Sequence, residues 1–143
     1  MEINILAVLV AAIIANILGG IWYSPRVFGT TWMKLLGWDP HNQAQMAQMK
    51  KNAGKSYTIN AFASIVLAYV LAHFIITSRS AAPDTSPLFI GIETAVWSWL
   101  GFVVPVSLGS VLWEGKPWKL FFLNTMYYLV SLVSMGLILG IWQ

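Results

Sequence analysis

The stretch that decides the fold is INILAVLVAAIIANILGGIWY, residues 3–23, in which no side chain carries a charge. An α-helix rises about 1.5 Å per residue, so roughly 20 apolar residues cross the hydrocarbon core of a bilayer. The stretch therefore predicts a transmembrane helix. Met1 and Glu2 supply no positive charge ahead of it, so we expect a retained helix rather than a cleaved signal peptide.

Three further runs have the same character, at residues 57–78, 87–113 and 117–142. The whole chain is 58% hydrophobic and 9% charged, whereas a soluble domain carries about 25% charged residues. These features predict an all-α membrane protein, with four transmembrane helices forming one antiparallel bundle over residues 1–143. Pro105 should bend the third helix because proline removes a backbone donor.

The first connection, residues 24–56, is the only long one. Ser24-Pro25-Arg26 should end the first helix. The segment 27–38 contains Trp and Lys residues that suit the headgroup region, which predicts a short interfacial helix. The polar stretch from Asn42 to Lys55 could be helical, but it has too few apolar residues to pack on its own, and we expect it to be the most mobile part of the chain.

The basic residues are distributed unevenly between the connections. The second connection holds Arg79, whereas the first and third hold Arg26, Lys34, Lys50, Lys51, Lys55, Lys116 and Lys119. Lys and Arg accumulate on the cytoplasmic side of membranes. We therefore expect the first and third loops to be cytoplasmic, both termini to be non-cytoplasmic, and the membrane to be the bacterial inner membrane. The net charge of +3 then reports orientation, and we expect no nucleic-acid partner.

Signatures of enzymes are missing from the sequence. It has no cysteine, no glycine-rich phosphate loop, no HExxH and no nucleophile elbow. We therefore expect a protein that is not an enzyme, with no cofactor and no metal site.

Two ionisable residues, His73 and Glu93, fall inside the apolar runs. Such residues are costly at membrane depth and are functional candidates by default. Their positions in consecutive helices predict similar depths near one membrane face, where a carboxylate and an imidazole could share a proton. The alternative is structural: Glu93 reaches toward the interface, and His73 bonds a neighbouring carbonyl or hydroxyl group.

A second polar layer is predicted nearer the other face. Each helix contributes one member: Asn16, Asn60, Ser107 and Asn124. Hydrogen bonds between transmembrane helices contribute about 0.6 kcal/mol each. The layer is interpreted as a structural clasp, with a path for a small solute as the alternative.

Three groups of residues carry a family resemblance. The first is Trp22-Tyr23-Ser24-Pro25 with Phe28-Gly29 and Trp32-Met33, the second is Ala68 to Ala72, and the third is Glu114-Gly115-Lys116-Pro117-Trp118-Lys119-Leu120. Together they resemble the bacterial and fungal membrane family called domain of unknown function 1761. The resemblance spans nearly the whole chain. It implies a four-helix membrane protein without an established activity.

The first and third motifs are expected at the same membrane face, where they could form a joint structure. Its charged and aromatic members, Arg26, Glu114, Lys116, Trp118 and Lys119, could make an ion-pair network or bind anionic lipid headgroups. The simpler alternative is turn geometry combined with anchoring of the helix ends.

Small residues four apart, such as Ala7, Ala11 and Ala15, predict close helix packing. They favour packing within one subunit over a dimerisation motif. The leading hypothesis is a non-enzymatic structural or interaction component, either a homo-oligomer or an accessory subunit of a larger membrane assembly, with membrane lipids as further partners. The alternative is a small transporter or channel, proton-coupled through Glu93 and His73.

Overall fold

The computed structural model describes residues 2–143, and within them it contains helices and no strand. The helices are α1 (Ile5–Trp22), α2 (Gly29–Leu35), α3 (Gln43–Ala81), α4 (Pro87–Ser98), a π-helical segment (Trp99–Val103), α5 (Val104–Leu112) and α6 (Trp118–Trp142). Four helical stretches are long and apolar enough to cross a membrane: Ile5–Trp22, Gln43–Ala81, Pro87–Leu112 and Trp118–Trp142. The prediction of a helical membrane protein is thereby confirmed. A short helix in the first connection, α2, is also present.

The start of the second long helix differs from the sequence expectation. We expected a polar loop up to residue 56, but α3 begins at Gln43 and runs for 39 residues. Asn42 caps this helix, since its side-chain oxygen accepts from the amides of Ala44 and Gln45 at 3.1 and 3.2 Å. Ala, Gln, Met and Lys are also good helix formers. A polar run of this kind extends a helix once the adjacent apolar part has formed.

The third candidate span is a helix interrupted by one wider turn. α4 ends at Ser98, the segment Trp99–Val103 is π-helical, and α5 follows with Pro105 near its start. The amide of Val104 bonds the carbonyl of Trp99. A π turn and a nearby proline are both known causes of a change in helix direction. The predicted irregularity at Pro105 therefore takes the form of a π segment just before it.

Polar contacts at the helix ends define the relative directions of the spans. The amide of Asn4, before α1, donates to Gln143 Oε1 after α6 at 2.9 Å, and Tyr23, after α1, lies near the start of α6. α1 and α6 are therefore antiparallel. Arg79, in the last turn of α3, donates to the carbonyl of Gln143 at 2.7 Å, so α3 runs parallel to α6.

The core is built from small residues of α1 and α3 and from larger side chains of α3 and α6. Ala7, Ala11 and Ala15 are almost completely buried, as are Ala68 and Ala72. The larger buried side chains that fill the space between them are Leu71, Ile75, Leu132, Met135 and Leu139. The alanine pattern thus packs helices within one chain, as the sequence favoured.

α4 and α6 approach each other most closely at three glycines. A Cβ on Gly91 would overlap the carbonyl oxygen of Gly136, and one on Gly140 would lie 2.6 Å from the carbonyl oxygen of Pro87. No side chain fits between the two backbones there. Gly136 and Gly140 are spaced four apart in the sequence, as small residues at helix contacts often are, but their partner Gly91 becomes evident only in the structure.

Replacing Gly91 by alanine should push α4 away from α6 and lower the free energy of unfolding by about 1–3 kcal/mol or more. Gly101→Ala is a matched control, because Gly101 lies in the same span and a Cβ there meets nothing within 4 Å. Reversible unfolding in detergent micelles measures both variants. Equal stability of the two would contradict the proposed close contact.

Candidate functional site

The first motif forms a compact turn at the end of α1. The amide of Phe28 donates to the carbonyl of Trp22 at 3.0 Å, and the amide of Gly29 donates to the carbonyl of Ser24 at 2.9 Å. Gly29 is buried, and a Cβ there would overlap the carbonyl oxygen of Tyr23. The glycine therefore lets α2 start directly against the turn.

Aromatic rings join this turn to α6. The Tyr23 ring packs edge-on against Trp32 and Tyr127, with centroid distances of 5.4 and 5.2 Å. The Tyr23 hydroxyl donates to Asn124 Oδ1 at 2.9 Å. Trp22 packs against Phe28 at 4.7 Å. The first motif is thus held to α6 by ring packing and one side-chain hydrogen bond.

The first and third motifs meet in a groove, which we call the motif groove. Trp22, Phe28 and Thr31 line one side of it, and α6 contributes Lys119, Phe122, Leu123 and Met126. Its volume is about 410 Å³. The predicted meeting of the two motifs is therefore present, and it brings an exposed lysine next to an apolar surface.

The remaining charged members of the motifs do not form the ion-pair network considered above. Arg26 and Glu114 are exposed, and within residues 2–143 no ion pair joins them to Lys116 or Lys119. The third motif instead makes a turn: Gly115 has a φ of 66°, and the amide of Lys116 donates to the carbonyl of Ser110 at 3.0 Å. Trp118 packs edge-on against Phe121.

The four members of the predicted inner polar layer form separate contacts. Asn60 Nδ2 donates to Asn16 Oδ1 at 2.9 Å and links α3 to α1. Asn124 instead accepts from Tyr23. The carbonyl of Ser107 accepts from Ser110 within α5. The layer therefore consists of two separate side-chain hydrogen bonds, Asn60 to Asn16 and Tyr23 to Asn124, and Ser107 takes part in neither.

His73 and Glu93 are not brought together. Both are exposed, and the His73 ring packs edge-on against Tyr69 of its own helix with a centroid distance of 4.8 Å. The polar contact between α3 and α4 near this level joins Ser78 and Thr94 at 3.5 Å. Within the single chain the structure therefore does not bring together the two residues considered for proton sharing, because the rotation of each helix turns both side chains outward. No group of three or more His, Cys, Asp or Glu suited to a metal ion occurs in residues 2–143.

Two tyrosines are important contacts that the sequence did not assign. Tyr23 is the last residue of the first apolar run, and Tyr127 lies within the fourth. In the structure Tyr127 faces α1, where its hydroxyl lies 3.4 Å from the carbonyl of Ala15. Tyr23 belongs to the first motif, and this was the one feature of the sequence that could have identified it as a contact residue.

Tyr23→Phe should keep the ring packing but remove the hydrogen bond to Asn124. We expect a loss of about 0.5–1.5 kcal/mol in unfolding free energy. A double-mutant cycle with Asn124→Ala isolates the interaction, and Tyr128→Phe is the control on a neighbouring exposed ring. Additive effects in the cycle would contradict the assigned contact.

Comparison with known proteins places this geometry in a family. The family model described as protein of unknown function (DUF1761) matches residues 6–140. Searches of curated proteins and of solved structures gave no significant match. The match covers both motifs of the groove and all four candidate spans, which confirms the resemblance noted in the sequence. The chain belongs to the DUF1761 family, whose function is unknown.

Proposed function

We propose that this protein is a non-enzymatic membrane component that associates with other membrane subunits through its third span, as a homo-oligomer or as an accessory subunit. The observation that carries the proposal is the low burial of this span together with the exposed carboxylate of Glu93 within it. Only 6% of its most apolar 18-residue window is buried, compared with 28–39% for the other three. The third span therefore offers the least covered surface of the four.

Exposed side chains of the third span form a broad apolar surface. Trp97 and Phe102 are each 64% exposed, and Val106 is 79% exposed. Lipid tails can cover such side chains as well as a protein can. The apolar surface alone therefore does not distinguish a lipid contact from a subunit contact.

Glu93 supports a subunit contact. It is exposed one helical turn before Trp97, about 9 Å along the axis from the start of α4. A carboxylate that faces hydrocarbon is costly, and ionisable residues in spans nearly always face protein or water. A neighbouring subunit that packs on this surface could supply a hydrogen-bond donor to Glu93.

The membrane placement is part of the same proposal. The four spans would cross the bacterial inner membrane as an antiparallel bundle, with α2 lying at the interface. The motif groove would face the cytoplasm and both termini would face away from it, because seven of the eight basic residues lie in the first and third connections.

The transporter alternative has less support. It needs polar groups that line a route, but Asn16 and Asn60 bond each other and Asn124 bonds Tyr23. Glu93 and His73 lie on outward surfaces of separate helices. These arrangements favour a structural role for the polar side chains, in which they hold the helices together. The absence of catalytic signatures in the sequence supports a non-enzymatic role.

Because the chain has no cysteine, a single introduced cysteine reports contacts without background. Val106→Cys labelled with a maleimide-linked photocrosslinker should give a cross-linked product in membranes, and native mass spectrometry of gently extracted protein should show an oligomer or a complex. Ile13→Cys, on the exposed side of α1, is the control. A cross-link to a different protein would identify an accessory subunit. A monomeric particle with no cross-linking above the control would overturn the proposal.

Glu93→Gln tests the two hypotheses against each other. If Glu93 contacts a neighbouring subunit, the variant should reduce the oligomer fraction, and vesicles with either protein should show the same proton-driven uptake as empty vesicles. His73→Gln, on another surface, should leave the oligomer fraction unchanged. Proton-driven uptake by the natural protein that is lost in Glu93→Gln would favour the transporter.

A further inference from the structure

The motif groove has an apolar part and a polar part. Phe28, Phe122, Leu123 and Met126 supply apolar lining, whereas Thr31 contributes a hydroxyl group and Lys119 an ammonium group. None of the lining residues is acidic. Its volume of about 410 Å³ lies within the roughly 300–1,000 Å³ typical of ligand sites. The groove is therefore suited to a molecule with an anionic and an apolar portion.

The start of α6 adds to the positive character of the groove. α6 begins after Pro117 with no side-chain cap and no acidic residue in its first turn. The amides of Leu120 and Phe121 donate to the carbonyl of Pro117 at 3.0 and 3.3 Å, so the amides of Trp118 and Lys119 are the ones left at the positive end of the helix dipole. Lys119 belongs to this turn. A phosphate next to Lys119 would therefore meet both a full charge and the helix end.

Trp22 holds a further donor beside the groove, although its indole nitrogen is closed to the groove in this structure. Its indole nitrogen Nε1 is buried and has no hydrogen-bond partner among the described residues. A buried donor without a partner typically costs about 1–3 kcal/mol. Since Trp22 lines the groove, an oxygen of a bound molecule would satisfy this donor once the indole turns toward it.

We propose that the motif groove binds one anionic phospholipid. Lys119 and the start of α6 hold its phosphate, Trp22 donates to a phosphate or ester oxygen, and Phe122, Leu123 and Met126 contact the upper part of an acyl chain. The groove lies where α1 ends and α6 begins, which is the headgroup level if these helices cross the membrane. A small soluble anion would leave the apolar lining without a contact. This site is independent of the third-span interface.

Native mass spectrometry of protein released from phosphatidylcholine nanodiscs containing phosphatidylglycerol tests the site. We expect one retained phosphatidylglycerol in preference to phosphatidylcholine. Lys119→Gln should weaken retention by about tenfold or more, since a hydrogen bond to a charged group is lost. Lys34→Gln removes the same charge at an exposed side chain of α2 that does not line the groove, and it should retain the lipid. Equal losses in both variants would overturn the proposal in favour of diffuse surface attraction.

Two further variants test the groove itself. Trp22→Phe keeps an aromatic ring but removes the donor, and should weaken phosphatidylglycerol retention. Met126→Trp should fill the apolar part and prevent retention. Circular dichroism and thermal unfolding establish that each variant is folded. Undiminished retention by folded Met126→Trp, or displacement of the lipid by millimolar inorganic phosphate, would overturn a lipid site in the groove.

Discussion

The close backbone contact between α4 and α6 is the constraint on which the bundle depends. Gly91 faces Gly136 and Gly140 with no space for a Cβ, so the two helices lie as near as backbones allow. Within a membrane such proximity increases dispersion contacts, which drive helix association there. α6 also packs against α1 and α3. It is thus the helix around which the other three are arranged.

The same contact explains why the third span leaves a surface uncovered. The glycine of this span that contacts α6 is Gly91, in α4. The π segment and Pro105 change the helix geometry beyond that point. Between α3 and the π segment lies an open cleft of about 300 Å³, lined by residues that include Phe74 and Phe102. A span held tightly near one end and divided by an irregular turn keeps much of its apolar surface uncovered by the rest of the chain.

Different interactions hold the middle and the two ends of the bundle. Alanines pack in the middle, and the glycine contact lies toward the end at which α4 begins and α6 finishes, because small residues allow close approach. At one end Asn4 and Arg79 bond Gln143, and at the other Tyr23 bonds Asn124. Polar groups are less costly near the ends, where water can reach them. The motif groove forms at the second end because the turn after α1 is folded back onto α6.

The four candidate spans could be predicted from the sequence, because hydrocarbon requires a long apolar run for every crossing. The first and third motifs could also be assigned to one end, since an even number of crossings separates them. The start of α3 could not be predicted, because a polar run is compatible with either a loop or a helix. The cap at Asn42 and the adjacent apolar helix determine that it is helical.

The sequence by itself determined how many helices can cross, which residues are costly inside them, and where basic residues accumulate. These properties depend on composition and length alone. Only the tertiary structure decided that Glu93 and His73 face outward, that Gly91 meets Gly136, and that Trp22 and Lys119 line one groove. Such contacts depend on the rotation and spacing of helices far apart in the chain, and side-chain packing between them sets both.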